Sequence, residues 1–300
     1  MERYDLLIVG AGAAGMAAAL GAVRGGAARV LLVDRGDRLG GVLPQCIHHG
    51  FGLSYFHEDL RGPDYAARFA ALLADAPEVA LRLDTTVLEL SADRTALLSS
   101  RAGLERVAFR RCLLCCGARE KPIGALDVAG TRPAGVFTAG QAQKLVNLGG
   151  YDLGRRIVIL GSGDIGMIMA RRFTLRGCEV VMMVEQAAAP GWLARNLHAC
   201  IEAYRIPLRL RATVTQVHGA ARITGVTVRD LCSGAEELVP CDVLVTAAGL
   251  IPERELARAL LHGGTPPDWL GFAGNCEHIH EIVDSVTVQA LALGERMAKM

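Results

Sequence analysis

The sequence predicts an α/β protein of two domains, each a parallel β-sheet flanked by helices, the second inserted in the first. Three observations carry this. A chain of 300 residues is too long for one small domain and short for three. Its residues are 51% hydrophobic and 21% charged, which supplies material for packed cores and argues against disorder. Finally, one pattern of strand, glycine turn, helix and strand occurs twice in identical register.

The first copy opens with the apolar run 5–10 (DLLIVG), followed by Gly10-x-Gly12-x-x-Gly15 and an Ala-rich, helix-favouring stretch to about Val23. A second apolar run, ARVLLVD, ends at Asp34. Each part has a physical job. Gly10 allows a sharp turn, Gly12 lets backbone amides approach a pyrophosphate, and Gly15 lets the helix pack on the strand. The helix N-terminus then offers unpaired N–H groups to phosphates, and Asp34 can accept hydrogen bonds from an adenosine ribose.

A lone GxGxxG is weak evidence in so Gly-rich a chain, so its context has to confirm it. Here the pattern recurs over Arg156–Glu185: RIVILG, Gly161-x-Gly163-x-x-Gly166, MIMARRFTLRG, and EVVMMVE ending in Glu185. Residues 10, 12, 15 and 34 map onto 161, 163, 166 and 185 with one constant offset of 151. Two such units imply two dinucleotides. A flavin and a nicotinamide nucleotide make chemical sense together, because one passes hydride to the other. Glu185 is followed by Gln186 with no Arg beside it, so its carboxylate disfavours the extra phosphate of NADP and favours NAD(H).

Between and after the copies, 77–90 (PEVALRLDTTVLEL) and 106–116 (RVAFRRCLLCC) read as strands separated by the turn-rich LSSRAG. The second leads to Gly117 and Pro122. CDVLVTAAG leads likewise to Gly249 and Pro252. Residues 40–76 form an insertion ending in an amphipathic, core-facing helix candidate, LRGPDYAARFAALLAD. The last segment reads as turn, strand (GFAGN), turn and a helix from about Ser285. The economical arrangement is a discontinuous first domain, 1–122 plus 251–300, and a second domain, 123–250, whose first part to 150 is a crossing segment.

Composition excludes other classes. Lys+Arg 32 against Asp+Glu 31 leaves net +1, which is no footprint for nucleic acid, and 5% aromatics make no stacking platform. Glycine, at 35 residues, shows no Gly-X-Y period, so its excess serves turns and close approaches. No apolar stretch reaches the roughly 18 residues of a membrane helix, and MERYDLLIVG does not read as a signal peptide. Nine cysteines, an odd number without zinc spacing, fit a reduced, cytoplasmic setting.

The two glycine units, the paired strand–glycine–proline motifs and the late GFAGN together resemble the two-dinucleotide-binding flavoproteins of the pyridine nucleotide-disulfide oxidoreductase superfamily, over the whole chain. GGVLPQCIHHGFGL, GVFTAGQAQKLVN, GSGDIGMIMARR and GNCEHIHEIVDSV are similar to the FAD/NAD-binding subunit of heteromeric glycerol-3-phosphate-, opine- or amino-acid-dehydrogenase-type complexes. The resemblance implies two Rossmann-like FAD/NAD(P)-binding domains. FAD is expected on Gly10, Gly12, Ala13, Ala14, Gly15, Asp34, Arg35, Gly41, Val87, Cys116, Gly117, Gly274 and Asn275. NAD is expected on Gly161, Gly163, Asp164, Ile165, Gly166, Glu185 and Gly249. Asn275 stands where relatives carry an Asp touching the ribityl chain, and Cys116 where they carry a Thr. The resemblance also implies two partners, a catalytic dehydrogenase chain and a small Cys-rich or iron–sulfur protein.

The reaction expected is hydride transfer between NAD(H) and FAD, with the nicotinamide stacked on the flavin. The alternatives are a standalone NADH oxidase or diaphorase, and a non-catalytic nucleotide-binding subunit. Disulfide reduction is disfavoured: Gly40-Gly41 is followed by Cys46 alone, and Cys112 and Cys115 on a strand point to opposite faces. Cys46, as a charge-transfer thiol or adduct site, and His48, as a proton relay, are the candidate catalytic residues beside the flavin. His278 and His280 suit a proton relay or polar flavin contact better than a metal, lacking further ligands. His57, His198, His218 and His262 read as surface or satisfied polar groups, and Met182 and Met183 as core.

Overall fold

The computed structural model describes residues 1–191, 194–261 and 263–300, so His262 lies outside the described residues. In chain order the main elements are β1 (Arg3–Val9), α1 (Ala13–Arg24), β2 (Val30–Val33), α2 (Gly62–Ala74), β3 (Val79–Arg82), β4 (Thr86–Leu90), β5 (Thr95–Ser100) and β6 (Gly103–Leu114). Then follow β7 (Val136–Thr138), α3 (Ala139–Asn147), β8 (Arg156–Leu160), α4 (Asp164–Leu175), β9 (Glu179–Val184), β10 (Leu208–Arg209), β11 (Ala212–Gly219), β12 (Ile223–Asp230), β13 (Glu236–Pro240) and β14 (Val243–Thr246). The chain closes with β15 (Leu270–Phe272) and α5 (Val283–Lys299). It divides into two compact units, Met1–Arg119 with Pro252–Met300, and Glu120–Ile251.

In the first unit the sheet order is β3-β2-β1-β6-β5-β4, with β15 also paired to β6. β1, β2 and β3 are parallel, as expected for strands linked through helices. The long β6 does two jobs. Its C-terminal half runs parallel to β1 and β15, and its N-terminal half forms an antiparallel hairpin with β5. Alternation along β1 splits the core: Leu6 and Ile8 face α1, α2 and α5, whereas Leu7 and Val9 face the side of Leu98, Phe109 and Trp269. The Ala-rich α1 lies close against α5. A Cβ on Gly21 would fall on the Leu291 carbonyl, and one on Gly294 on the Ala18 carbonyl.

Two sequence expectations change here. Residues 77–90 are two strands, because Asp84 between them adopts φ +46° and redirects the chain from parallel pairing with β2 to antiparallel pairing with β5. The stretch read as a turn, LSSRAG, is mostly strand: β5 runs through Ser100, β6 begins at Gly103 and only 101–102 turn. α2 forms as expected, burying Tyr65, Ala66, Phe69 and Leu73. α5 starts two residues before the expected Ser285.

In the second unit five parallel strands run in the order β7-β14-β8-β9-β10. β11, β12 and β13 form an antiparallel sheet, extended by Ala129–Gly130 beside β11. The segment expected to cross between domains thus supplies an edge strand, β7, and the helix α3. Met183 is fully buried, whereas Met182 is half-buried on the other face of β9. Among the described residues no helix is long and apolar enough to cross a membrane.

Candidate functional site

Each unit carries one glycine turn where its first strand feeds its first helix. Gly10 and Gly161 hold φ +103° and +102°, and each N–H donates to the carbonyl of the second strand, Val33 or Val184, at 2.7 Å. A Cβ on Gly10 would lie 2.5 Å from the Cys115 carbonyl oxygen, and one on Gly161 would fall on that of Ala247. Gly15 and Gly166 abut the carbonyls of Gly10 and Gly161, so the third glycine of each motif sets the helix against the turn. The middle glycines differ. A Cβ on Gly163 would meet nothing within 4 Å, and one on Gly12 only the Gly41 Cα, at 4.0 Å. Bare backbone therefore faces open space at the one motif position where a phosphate must come close.

The helices behind these turns are left open at their N-termini. Gly12 and Gly163 are the N-cap residues, and neither helix has a side-chain cap. The first-turn N–H groups of α1 and α4 are thus available to an anion. Ala13 and Ala14 occupy that turn of α1. Asp164 and Ile165 occupy it in α4, with the Asp164 carboxylate held by Asn196 Nδ2 at 2.8 Å.

The acidic residue ending each second strand ties the turn to the strand. Asp34 accepts from the Ala11 N–H at 2.6 Å and from the Gly36 N–H at 2.7 Å. Glu185 accepts from the Ser162 N–H at 2.8 Å and the Ala187 N–H at 2.9 Å. The partners 11 and 36 map onto 162 and 187 with the same offset of 151. Beyond the acids the correspondence continues. Asp34 N–H donates to Arg82 and Glu185 N–H to Arg209, both at 2.9 Å, and the residues two further on, Asp84 and Arg211, share left-handed backbones at φ +46° and +52°. Glu185 also accepts from the Ser162 hydroxyl at 2.8 Å. Burial works against its charge, but the donors from Ala187 and Ser162 prevail and hold it below the usual carboxylate range.

Sequence reasoning missed two contributors here. Ser162 fills the motif position where the first copy has Ala11, and its hydroxyl also accepts from the Gly191 N–H at 3.1 Å. Gly191 presses on the second turn, 3.0 Å from the Gly163 Cα were it to carry a Cβ, much as Gly41 abuts Gly12. The Pro190–Gly191 dipeptide signals a turn, but only the fold shows where it lands.

The remaining expected residues are placed as follows. Gly117 (φ +73°) accepts from the Glu253 N–H at 3.0 Å, and Gly249 (φ +104°) from the Lys121 N–H at 3.0 Å. Gly274 (φ +66°) sits beside Ala14 of α1, so the end of β15 does reach the first turn. Arg35 is exposed. Val87 packs with Cys116 into the core on the sheet face opposite α1. Asn275 is turned inward: its Oδ1 accepts from the His280 N–H at 3.0 Å and lies 3.3 Å from His280 Nδ1. The oxygen expected to reach a ribityl chain is therefore engaged within the protein, and the amide donor is what the side chain has left to offer.

Gly40 N–H donates to the Ala11 carbonyl at 2.8 Å, and a tight turn through Leu43 brings Cys46 next. Burial pushes the Cys46 thiol up to about 12, and its Sγ donates to the Val42 carbonyl at 3.4 Å. A charge-transfer donor must be a thiolate, and in these surroundings burial favours the neutral thiol of Cys46. His48 is half-buried, its ring against Phe51 with centroids 5.1 Å apart and Nδ1 2.9 Å from the His49 carbonyl. His278 and His280 stack with centroids 3.9 Å apart. Burial, then the neighbouring His278, lowers the His280 pKa. His57 and His198 are exposed, and His218 is satisfied by the Thr227 hydroxyl at 2.7 Å. Cys112 and Cys115 lie in the cores on opposite faces of the first sheet.

Comparison with known proteins places this geometry. Residues 4–266 match the family described as pyridine nucleotide-disulphide oxidoreductase. The chain is similar to the alpha chain of the sarcosine oxidase of Rhizobium meliloti (strain 1021), 30% identical over 88% of this chain and 26% of that protein. It is also similar to one of the subunits of the opine oxidase of Agrobacterium tumefaciens (strain Ach5), 28% identical over 86% of this chain and 54% of that protein. It thus spans between about a quarter and a half of the length of these relatives. Among solved structures, T. acidophilum thioredoxin reductase shares the fold with a TM-score of 0.79 at 21% identity, covering 100% of this chain and 98% of that one. An A. fulgidus NAD-dependent persulfide reductase gives 0.71 at 20% identity, over 99% and 59%. The chain belongs to the pyridine nucleotide-disulphide oxidoreductase family.

Proposed function

We propose that the protein transfers hydride between NAD(H) and FAD, as the electron-transfer subunit of a heteromeric dehydrogenase. The observation that carries this reading is the duplicated cradle. Two open middle glycines, two uncapped helix N-termini and two strand-end carboxylates recur with one offset, and that donor set fits two dinucleotides. The chemistry the two cofactors supply when bound is hydride transfer between nicotinamide and flavin. The chain's part is to bind and orient them.

FAD is assigned to Gly10, Gly12, Ala13, Ala14 and Gly15 for its pyrophosphate, Asp34 for its adenosine ribose, and Gly41, Cys116, Gly117, Gly274 and Asn275 around the same strand ends. NAD(H) is assigned to Gly161, Gly163, Asp164, Ile165 and Gly166, with Glu185 on the ribose and Gly249 at the end of β14. The ionised Glu185 favours NAD(H) over NADP(H), because its charge opposes a 2′-phosphate. His280, whose pKa is lowered by burial and then by His278, stands near the Asn275 turn where a proton could be passed. The names of the relatives, subunits of sarcosine and opine oxidases, support a heteromeric setting with a partner that oxidises an amino-acid-like substrate.

The test is anaerobic titration of the purified protein with NADH. Stoichiometric bleaching of a flavin absorbance band supports the assignment of both sites. A colourless preparation that refuses added FAD, or a flavin that NADH leaves oxidised, refutes it.

A further inference from the structure

α4 begins with an acid at the place where a pyrophosphate needs donors. Asp164 is its first residue, directly after the N-cap Gly163. The matching residue of the first copy, 151 positions earlier, is Ala13, which carries no charge. A carboxylate in a first helical turn is drawn to the unpaired N–H groups there, because that end of a helix carries partial positive charge. The side chain of Asp164 and a bound phosphate are thus two anions competing for the same donors.

The Asp164 carboxylate nevertheless leaves its own helix uncapped. Its Oδ1 accepts instead from Asn196 Nδ2 at 2.8 Å, and both side chains are half-buried. A hydrogen bond to a carboxylate is charge-assisted, and partial burial protects it from exchange with water. Asn196 reaches Asp164 from 32 residues away, on a segment that is tied down on either side. Before it, the Gly191 N–H donates to the Ser162 hydroxyl at 3.1 Å, beside the second glycine turn. After it, Leu197, Cys200 and Ile201 join the core that contains Ile165, Met167 and Phe173 of α4. Further on, the Arg171 guanidinium of α4 lies 5.9 Å from the centre of the Tyr204 ring. The backbone of Asn196 is therefore held against α4 by contacts other than the one its amide makes.

On the reading that NAD(H) occupies this turn, we propose that Asn196 is a positioning residue for the nucleotide. It holds the Asp164 carboxylate aside, so that the N–H groups of the first turn of α4 stay open to the pyrophosphate. Asp164 then serves the nucleotide through its backbone N–H, while its side chain is the competitor that Asn196 restrains. The first cradle needs no such residue, because Ala13 has no charge to restrain.

The test is a double-mutant cycle on the full chain, read by calorimetric titration with NADH at low ionic strength and with thermal unfolding as the check on folding. Asn196→Ala releases the carboxylate and should raise the Kd for NADH by about fivefold or more. Asp164→Ala removes the competitor and should lower it by about two- to fivefold. The double variant should bind as tightly as Asp164→Ala, because Asn196 then has nothing to hold. A loss that persists in the double variant means that Asn196 acts only through the fold, and overturns the proposal. So does an Asn196→Ala Kd within twofold of the parent's. If Asn196→Ala does not fold, Asp164→Ala decides alone: tighter binding than the parent's supports the proposal, and weaker binding makes the carboxylate a ligand and overturns it. A parent that binds no NADH overturns the assignment of the site itself, and the role of Asn196 with it.

Discussion

Gly161→Ala and Gly163→Ala, two residues apart in one motif, should fail in opposite ways. At Gly161 the backbone is at φ +102° and a Cβ would fall on the Ala247 carbonyl oxygen. The left-handed conformation costs about 1–2 kcal/mol for an alanine. Relieving the overlap in a packed region costs about 1–3 kcal/mol more. The second unit should therefore lose about 2–5 kcal/mol of stability. At Gly163 the backbone is at φ −59° and ψ 162°, which any residue adopts, and a Cβ meets nothing within 4 Å. Alanine is a worse N-cap than glycine by about 0.5–1 kcal/mol. It recovers about 0.4–1 kcal/mol by restricting the unfolded chain. Stability should stay within about 1 kcal/mol, yet the methyl occupies the space a pyrophosphate needs, so NADH affinity should fall by about tenfold or more, or about 1.4 kcal/mol. Urea unfolding followed by calorimetric NADH titration reads both quantities. If Gly163→Ala binds NADH within twofold of the parent, the open space is not the phosphate cradle and the reasoning fails.

Other substitutions probe the same architecture. Glu185→Ala should raise the KM for NADH by about tenfold or more and narrow the preference over NADPH, since it removes both the ribose acceptor and the charge; an unchanged NADH/NADPH ratio of kcat/KM would count against the assignment. Because the folded Glu185 pKa is depressed, its contribution to stability is present above the unfolded carboxylate pKa and is lost only as pH falls through the lower folded value. Parent and Glu185→Gln should thus differ in thermal midpoint at pH 6 and converge in stronger acid. Cys46, with its thiol pushed up to about 12, should resist iodoacetamide at pH 8 in the native state; alkylation as fast as that of the exposed Cys232 would contradict this. Asp284 is buried and accepts from the Gly52 and Ser54 N–H groups at 3.1 and 2.7 Å, so Asp284→Asn should cost about 1–3 kcal/mol and speed amide exchange over 49–58.

The duplicated unit was legible in the sequence because every demand it meets is local. A left-handed turn needs glycine at Gly10 and Gly161, a close helix needs it at Gly15 and Gly166, and a strand-end acceptor needs Asp34 or Glu185. What stayed hidden depends on contacts far apart in the chain. Gly191 looks like any Pro-Gly turn until it meets Gly163, and β15 finds its place only by returning to β6 from the far end of the chain. The Asn275 oxygen also bonds to His280, a contact that no pattern of residue types reveals. β5 escapes a reading by residue type because its Ser-rich end resembles a turn, and only its pairing with Gly103–Ala108 makes it a strand.

In the proposed assignment, Asp34 and Glu185 each carry two roles at once. The oxygens offered to a sugar are also the brackets that hold the neighbouring glycine loop to its strand, through Ala11 in one case and Ser162 in the other. Damage to either carboxylate must therefore loosen the grip on both ends of a dinucleotide together. Fragments such as adenosine and pyrophosphate should lose affinity in step, and no single replacement of these acids can separate recognition of the base-bearing end from recognition of the bridge.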